Sequence, residues 1–506
     1  MFELFLKRFA IPCAVFITGA CVLVIEIIAV RILSPYYGNT IFTISSVISV
    51  VLLALSAGYY IGGKIADRFP KEIFFYGIIF ASGVSVIVLH LIGMVFLASF
   101  GYQLSIINGP LISSLVLFFL QSFLLGTLSP FAIKLQATRM EKTGIGSVAG
   151  EIFFFSTLGS IAGSLSAGFL LIPHVGVDKI MLGAGFLLIS LGLAGVLRIN
   201  PWAKSLVIIF FFGQIFFSSL SPDVPNAVFA KDSLYQKITI REGTYLERPA
   251  RFLTQDRNLS AAQFLDGDDL VYEYTKYYRL YEVTNPHIQN ALAIGGGAYS
   301  IPKALLKDSP NIQVDVAEID PLIFDLGKEY FGVPDDPRLR NFAQDGRKFL
   351  HTINKKYDLI FSDAYSSLYS TPEHLTTREF FTLAKEKLTA NGVFIANVVG
   401  DLSQTPESFA LSEMRTFKNV FNNSYFFAVN APDSDKMQNL IFVGYSGNTL
   451  VNFNDPKITQ HENDIIGNLP KKLIDLGNLN LSQYPLLTDN FAPVDYLISK
   501  EFQNLH

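Results

Sequence analysis

Two halves of unlike composition predict a multi-span α-helical membrane domain followed by an α/β Rossmann-like domain that opens with a small β region. Three observations carry this. Half of the 506 residues are hydrophobic and only 16% are charged, giving a mean hydropathy of +0.37; the apolar excess lies before about residue 222. After that point charge and turn residues return and strands alternate with helices, the pattern of a mainly parallel sheet. Within this half, 291–320 reads as a buried strand, a triple-glycine turn, a helix and a second strand ending in acid. The expected domains are 1–222 and 223–506.

The first apolar run, 9–33, is too long for a secretory signal and is not followed by a small-residue cleavage pattern. Further runs at 41–66, 72–98, 107–133, 150–173, 178–198 and 203–220 bring the expected spans to about seven, the last marginal in length. Gly159, Gly163 and Gly168 repeat at a spacing that lets membrane helices approach closely. Lys and Arg gather in alternate loops (Lys7 and Arg8, Lys64 to Lys71, Lys134 to Lys142, Arg198 and Lys204), which places the N-terminus in the cytoplasm. Seven crossings would put the second domain outside, whereas a partial last run would keep it inside. Glu26 and Arg31 fall in the first run, where ionisable groups are costly: either they serve a function or they lock the bundle as an ion pair. The stretch 58–70, with Gly58, Gly62 and Gly63 before Asp67 and Arg68, reads as a transporter-like loop or as a charge-capped helix end. One helix would suffice as an anchor, so the bundle is expected to move or present a substrate, with a dimerisation platform as the alternative. Cys13 and Cys21 both lie in the first run and suggest neither disulfide nor zinc. Net charge is −4 with no long basic run, so nucleic acid is not an expected partner.

The second half opens with an alternating strand, 232–242, whose hairpin mate is 250–254. Next comes the glycine turn. Gly295, Gly296 and Gly297 carry no Cβ, so the turn can take positive φ and a ligand can approach the backbone. Pro302 suits the first turn of the following helix. Glu318, about twenty residues past the glycines, ends the second strand where a carboxylate can take hydrogen bonds from ribose hydroxyls. The dinucleotide fingerprint Gly-x-Gly-x-x-Gly is not met, since Ser300 holds its last slot, and this counts against NAD or FAD. A helix (322–330), a strand (339–344) and a short helix (347–353) follow. The strand 357–363 then delivers Asp363 at its carboxyl tip. Asp345 and Gly346 end the strand before it, so Glu318, Asp345 and Asp363 stand on one sheet edge. Alone, each reads as a cap or turn residue. The run 393–399 adds a strand, and 424–429 with 439–445 reads as a closing antiparallel pair. His90, His174, His287, His351, His461 and His506 occur in unrelated contexts, so no metal site is expected.

The ordered set Ser233-x-Tyr235-Gln236, Gly295–Gly297, Glu318-Ile319-Asp320-Pro321, Asp336-Pro337-Arg338, Asp345-Gly346 and Tyr357-Asp358-x-Ile360-x-x-Asp363 resembles the spermidine synthases and related aminopropyltransferases over roughly 230–445. The whole chain resembles their bacterial membrane-fused branch. Thr371 to Leu375, then Glu379 to Phe381, look like the family's substrate loop and next helix. The resemblance implies a methyltransferase-type sheet and a small-molecule substrate, decarboxylated S-adenosylmethionine or S-adenosylmethionine itself. It further implies that Glu318 holds the ribose, Asp345 takes the adenine amino group, Gln236 contacts the methionine-derived chain and Asp363 is the catalytic base. No metal is implied. Membrane lipid and a second copy in a homodimer are candidate partners, and the expected location is the bacterial inner membrane. The tail 487–495 resembles a recurrent motif of the fused branch without a chemical role.

Departures fall on the acceptor side. Ala298 follows the glycines and Ser366 lies three residues past Asp363, where the family usually carries acids. Tyr272-Glu273-Tyr274 stands where the family has Tyr-His-Glu. These are the groups that would grip a cationic diamine, each worth about 1.5–3 kcal/mol as a charge-assisted hydrogen bond. Four readings follow: alkyl transfer to an amine, cleavage of the sulfonium by elimination or cyclisation without an amine, methyl transfer, and a transporter or sensor whose second domain only binds ligand.

Overall fold

Hydroxyl, glycine and charged residues set the ends of six long helices in the computed structural model, which describes residues 2–101, 103–140, 143–199, 226–364 and 371–503. These are α1 (Phe2–Tyr37), α2 (Ile41–Arg68), α3 (Glu72–Phe100), α4 (Gly109–Arg139), α5 (Ile145–Ser166, prolonged through a π-turn to Val175) and α6 (Val177–Ile199). Six helices among the described residues are long and apolar enough to cross a membrane. The seventh expected run, 203–220, lies outside the described residues. Thr40 caps α2 by accepting from the Thr43 N–H. Ion pairs tie neighbouring ends, Lys134 to Asp67 at 2.8 Å and Arg139 to Glu72 at 2.5 Å. Leu52, Val95 and Phe169 are exposed, as side chains facing acyl chains would be.

The glycine reading holds at two of its three positions. A Cβ on Gly159 would stand 2.0 Å from the Phe16 carbonyl oxygen and one on Gly163 2.3 Å from that of Ala20, so α1 and α5 pack backbone to backbone. Gly168 has open space instead, in the π-turn. The stretch 58–70 is helix as far as Arg68 rather than loop: Gly58 and Gly62 sit inside α2 against the backbone of α4. Among the described residues Glu26 makes no ion pair. Arg31 donates instead to the carbonyls of Ser233, at 2.9 Å, and Tyr235. The segment Lys231–Gln236 belongs to this helical unit, and Pro225–Ala230 with Lys237–His506 forms the other.

β1 (Ala227–Asp232, as far as Ala230 in the second unit), β2 (Lys237–Tyr245), β3 (Arg248–Gln255) and β4 (Asn258–Phe264) form a four-stranded sheet. The expected hairpin is β2–β3, antiparallel with Ile240 opposite Leu253. The main sheet has seven strands: β5 (Asn290–Ile294), β6 (Gln313–Glu318), β7 (Leu339–Ala343), β8 (Tyr357–Ser362), β9 (Leu388–Gly400), β10 (Ser424–Ala428) and β11 (Gln438–Tyr445). Their order is β10-β11-β9-β8-β5-β6-β7. Five strands run parallel, and β11 and β10 close the sheet antiparallel. Helices α7 (Ser300–Asp308), α8 (Pro321–Tyr330), α9 (Gly346–Thr352), α10 (Arg378–Glu386), α11 (Phe409–Val420) and α12 (Val494–Gln503) complete it. The chain moves from β5 outward to β7, then returns to β8 on the other side of β5. That reversal opens a crevice at the β5/β8 carboxyl ends.

Two shared motifs are structural here. Arg338 pairs with Asp336 at 2.6 Å and closes the loop after α7 through the carbonyls of Leu306, Ser309 and Pro310. Asp358 accepts from the Gln289 and Asn290 N–H groups at 2.9 and 3.0 Å, fixing the entry to β5.

Asp315, fully buried in β6, receives Arg340 at 2.7 and 2.9 Å, Lys355 at 3.0 Å and the Tyr357 hydroxyl at 2.8 Å. Burial pushes its pKa up, but the bonds from Arg340, Tyr357 and Lys355 outweigh it and hold the carboxyl below its ordinary value. A depressed carboxylate contributes stability above its unfolded pKa, about 3.9, and loses it as pH falls through the folded value. Asp315→Ala leaves the buried Tyr357 hydroxyl without its acceptor and frees the part-exposed Arg340 and Lys355 to solvent, and is expected to destabilise this unit by about 2 kcal/mol. Thermal unfolding in detergent checks this: the gap between variant and parent should be full at pH 7 and close below about pH 4.

Candidate active site

The glycine turn is shaped by the strand beside it. Gly295 has φ +94° and Gly297 φ +51°, a region that favours glycine. A Cβ on Gly295 would lie 2.4 Å from the Asp363 carbonyl oxygen. The Asp363 N–H donates to the Ile294 carbonyl at 2.9 Å, so the tips of β5 and β8 are stitched together at the crevice. Tyr299 also takes a left-handed conformation, φ 55°, just before α7, with its ring buried and its hydroxyl donating to Asn341 at 2.6 Å.

Glu318, only 6% exposed, ends β6 beside this turn. One oxygen accepts from the Gly296 N–H at 2.7 Å and the other from the Asp320 N–H at 2.9 Å. A carboxylate has about four acceptor sites, so it keeps capacity for a ligand hydroxyl. Burial raises its pKa, opposed by the Asp320, Gly296 and Ile319 N–H groups.

Asp363 follows β8. The Asn397 side-chain amide donates to one oxygen at 2.8 Å and the Tyr274 hydroxyl to the other at 3.1 Å. Asn397 is in turn oriented by Asn439, 2.9 Å away on β11. Burial raises the pKa of Asp363, with Asn397 and Tyr274 pulling the other way. A carboxylate held in register yet made more basic than usual suits proton removal.

Asp345 caps α9, accepting from the Lys348 N–H at 2.9 Å. Its second oxygen meets His374 Nε2 at 2.8 Å. Burial acts to raise its pKa, but the His374 bond and the helix N–H groups bring it below the ordinary value. Gly346 opens α9 with no room for a side chain, since a Cβ would lie 2.3 Å from Ile294. Gln236 lies in the segment assigned to the helical unit. Its carbonyl accepts from the Ser233 N–H and hydroxyl at 2.8 and 2.9 Å.

The second unit therefore brings Gly295–Gly297, Glu318, Asp345, Gly346 and Asp363 to one sheet edge. The motif reading gave no role to Tyr274, Asn397, Asn439 or His374. Asn397 was detectable as a lone amide in an apolar strand, and Tyr274 as a tyrosine where the resemblance expected an acid. Ala298, 1% exposed, packs into the core beneath the turn. Ser366 lies outside the described residues. Among the described residues no group of three or more His, Cys, Asp or Glu could hold a metal ion.

Comparison with known proteins shows what the second half of the chain is similar to. The family model for the spermine/spermidine synthase domain matches residues 279–455. A polyamine aminopropyltransferase of Vibrio vulnificus is 27% identical over 238 residues, covering 46% of this chain and 76% of that protein. One from Clostridium perfringens is 35% identical over 116 residues, 22% of this chain and 41% of its own length. A solved structure of a probable spermidine synthase from Corynebacterium glutamicum, 20% identical, covers 53% of this chain and 96% of its own with a TM-score of 0.42.

Proposed function

We propose that the chain, whose residues 279–455 match the spermine/spermidine synthase domain, is an aminopropyltransferase-like enzyme of the bacterial inner membrane that alkylates an amine from decarboxylated S-adenosylmethionine or S-adenosylmethionine and releases methylthioadenosine. The observation that carries the reading is Asp363, held by Tyr274 and Asn397 at the crevice where Gly295 meets β8. The residues fit such a substrate. Glu318 keeps acceptor capacity for a ribose diol, the glycine turn leaves room beside it, and Asp345 offers an acceptor for the adenine amino group. The resemblance gives Gln236 the contact to the methionine-derived chain. Domains 1–222 and 223–506 divide the work, the first crossing the membrane and passing or presenting a substrate.

In this reading a neutral amine attacks the carbon next to the sulfonium. The new C–N bond forms as the C–S bond breaks, and its electron pair leaves with sulfur as neutral methylthioadenosine. The proton on the new ammonium passes to the Asp363 carboxylate. Asp363 also orients the amine, so positioning and base chemistry come from one group.

A second reading, sulfonium cleavage without an external amine, is favoured by Ala298 and Tyr274, which leave the acceptor side short of carboxylates. Full-length protein with each cofactor, with and without putrescine, separates the two by mass spectrometry. Methylthioadenosine released at the full rate with no amine would overturn the transferase reading.

Because Tyr274 and Asn397 hold the pKa of Asp363 down against burial, Tyr274→Phe should raise it further. The base works ionised, so the acidic limb of the kcat/KM profile should move to higher pH while the alkaline limb stays in place. An unmoved acidic limb would show that Asp363 is not the titrating base.

A further inference from the structure

The tail motif 487–495 is built into the edge of the site. Thr488 and Phe491 exchange backbone hydrogen bonds at 2.9 Å, making a tight turn with Asp489 at its tip. The turn is pinned from both sides: the Arg378 N–H donates to the Leu487 carbonyl at 2.9 Å, and the Leu487 N–H to the Thr416 hydroxyl at 2.9 Å. Asp489 takes Arg347 in a two-point grip, 2.7 and 2.5 Å, and the Thr377 hydroxyl at 2.8 Å. Its own N–H donates to Glu379 at 3.1 Å.

Arg347 is an unusual residue for its place. It lies in the first turn of α9, where the helix dipole disfavours a cation, and two residues after Asp345, whose carboxylate caps the same turn. The bond to Asp489 raises the pKa of the guanidinium most, and the charge of the nearby Asp345 carboxylate adds to this. The guanidinium's hydrogen bonds go instead to Asp489 and, at 3.1 Å, to the His374 carbonyl. Asp345 is left facing His374 and the helix N–H groups.

We propose that Asp489 is a positioning residue that keeps Arg347 off Asp345, so that the tail motif preserves the acceptor by which the site tells a 6-amino purine from a 6-oxo purine. This rests on the reading of Asp345 as the adenine acceptor. Without Asp489, Arg347 turns to Asp345 and occupies the lone pairs an amino group would use. It also removes the repulsion between that carboxylate and a 6-oxo oxygen.

Calorimetric titration of the full-length protein in detergent with methylthioadenosine and methylthioinosine tests it. The parent should prefer methylthioadenosine, and Asp489→Asn should lower the ratio of the two affinities about tenfold. Asp489→Asn/Arg347→Gln should restore the ratio to within about twofold, because the competing cation is gone. Loss of a merely structural contact would weaken both ligands alike and would not be repaired by the second substitution. If Asp489→Asn does not fold, Asp489→Ser replaces it, and Arg347→Gln alone should keep the parent's ratio. A parent without preference overturns the reading of Asp345 and this inference with it. A parent with preference that Asp489→Asn retains, or that the double variant fails to regain, overturns this inference alone.

Discussion

Replacing Asp363 with asparagine should lower turnover about 100- to 10,000-fold, the range of a lost general base, while nucleoside affinity stays within about threefold. The amide keeps the shape and accepts one hydrogen bond, from Tyr274 or Asn397. It cannot take the proton that the new ammonium must shed, nor hold the amine in line by charge. That loss falls on the transition state and not on ground-state binding, so kcat drops and the dissociation constant of methylthioadenosine does not. Burial, which makes Asp363 more basic than an ordinary carboxylate, is part of what is lost. Single-turnover rates and calorimetry on the same preparation check both sides. An Asp363→Asn protein that no longer binds the nucleoside, yet melts normally, would place Asp363 among the binding groups.

Glu318→Gln should do the reverse, weakening methylthioadenosine about 10- to 100-fold. Both Glu318 oxygens already accept a backbone N–H, from Gly296 and Asp320. A glutamine must turn its NH2 toward one of these donors, leaving a buried N–H unpaired or moving the glycine turn. Either outcome costs about 1–3 kcal/mol, and each 1.4 kcal/mol is tenfold in affinity. The ribose also exchanges a charged acceptor for a neutral one. At saturating substrate, turnover should fall much less. If Glu318→Gln binds methylthioadenosine as the parent does, the ribose is held elsewhere.

Much of this architecture was legible from residue patterns because the signals are local. Glycines at 295–297 before a helix, and acids closing three apolar runs, identify strand tips without knowledge of the tertiary fold. The closing antiparallel pair could be read in the same way, from two apolar runs after the last parallel strand. The residues around Asp363 were harder to read, because they depend on pairing across the sheet. Asn397 reaches Asp363 from β9, and Asn439 orients it from β11, 42 residues further on. No spacing rule links them. The Gly58 stretch left loop and helix end open because glycine marks loops in soluble domains but close packing within long apolar helices; the helix end, closing on Arg68, is the one found. The tail motif carried no chemistry by itself; its partner Arg347 lies 142 residues earlier.

The central claim is that a sulfonium is cleaved at Asp363 with its alkyl group passing to an amine. Full-length protein is incubated with decarboxylated S-adenosylmethionine and a panel of amines, and methylthioadenosine and alkylated amine are quantified together. The expected result is one alkylated amine per methylthioadenosine, both formed at least about 100-fold more slowly by Asp363→Asn. Methylthioadenosine without alkylated amine, or equal yields from Asp363→Asn, would contradict it.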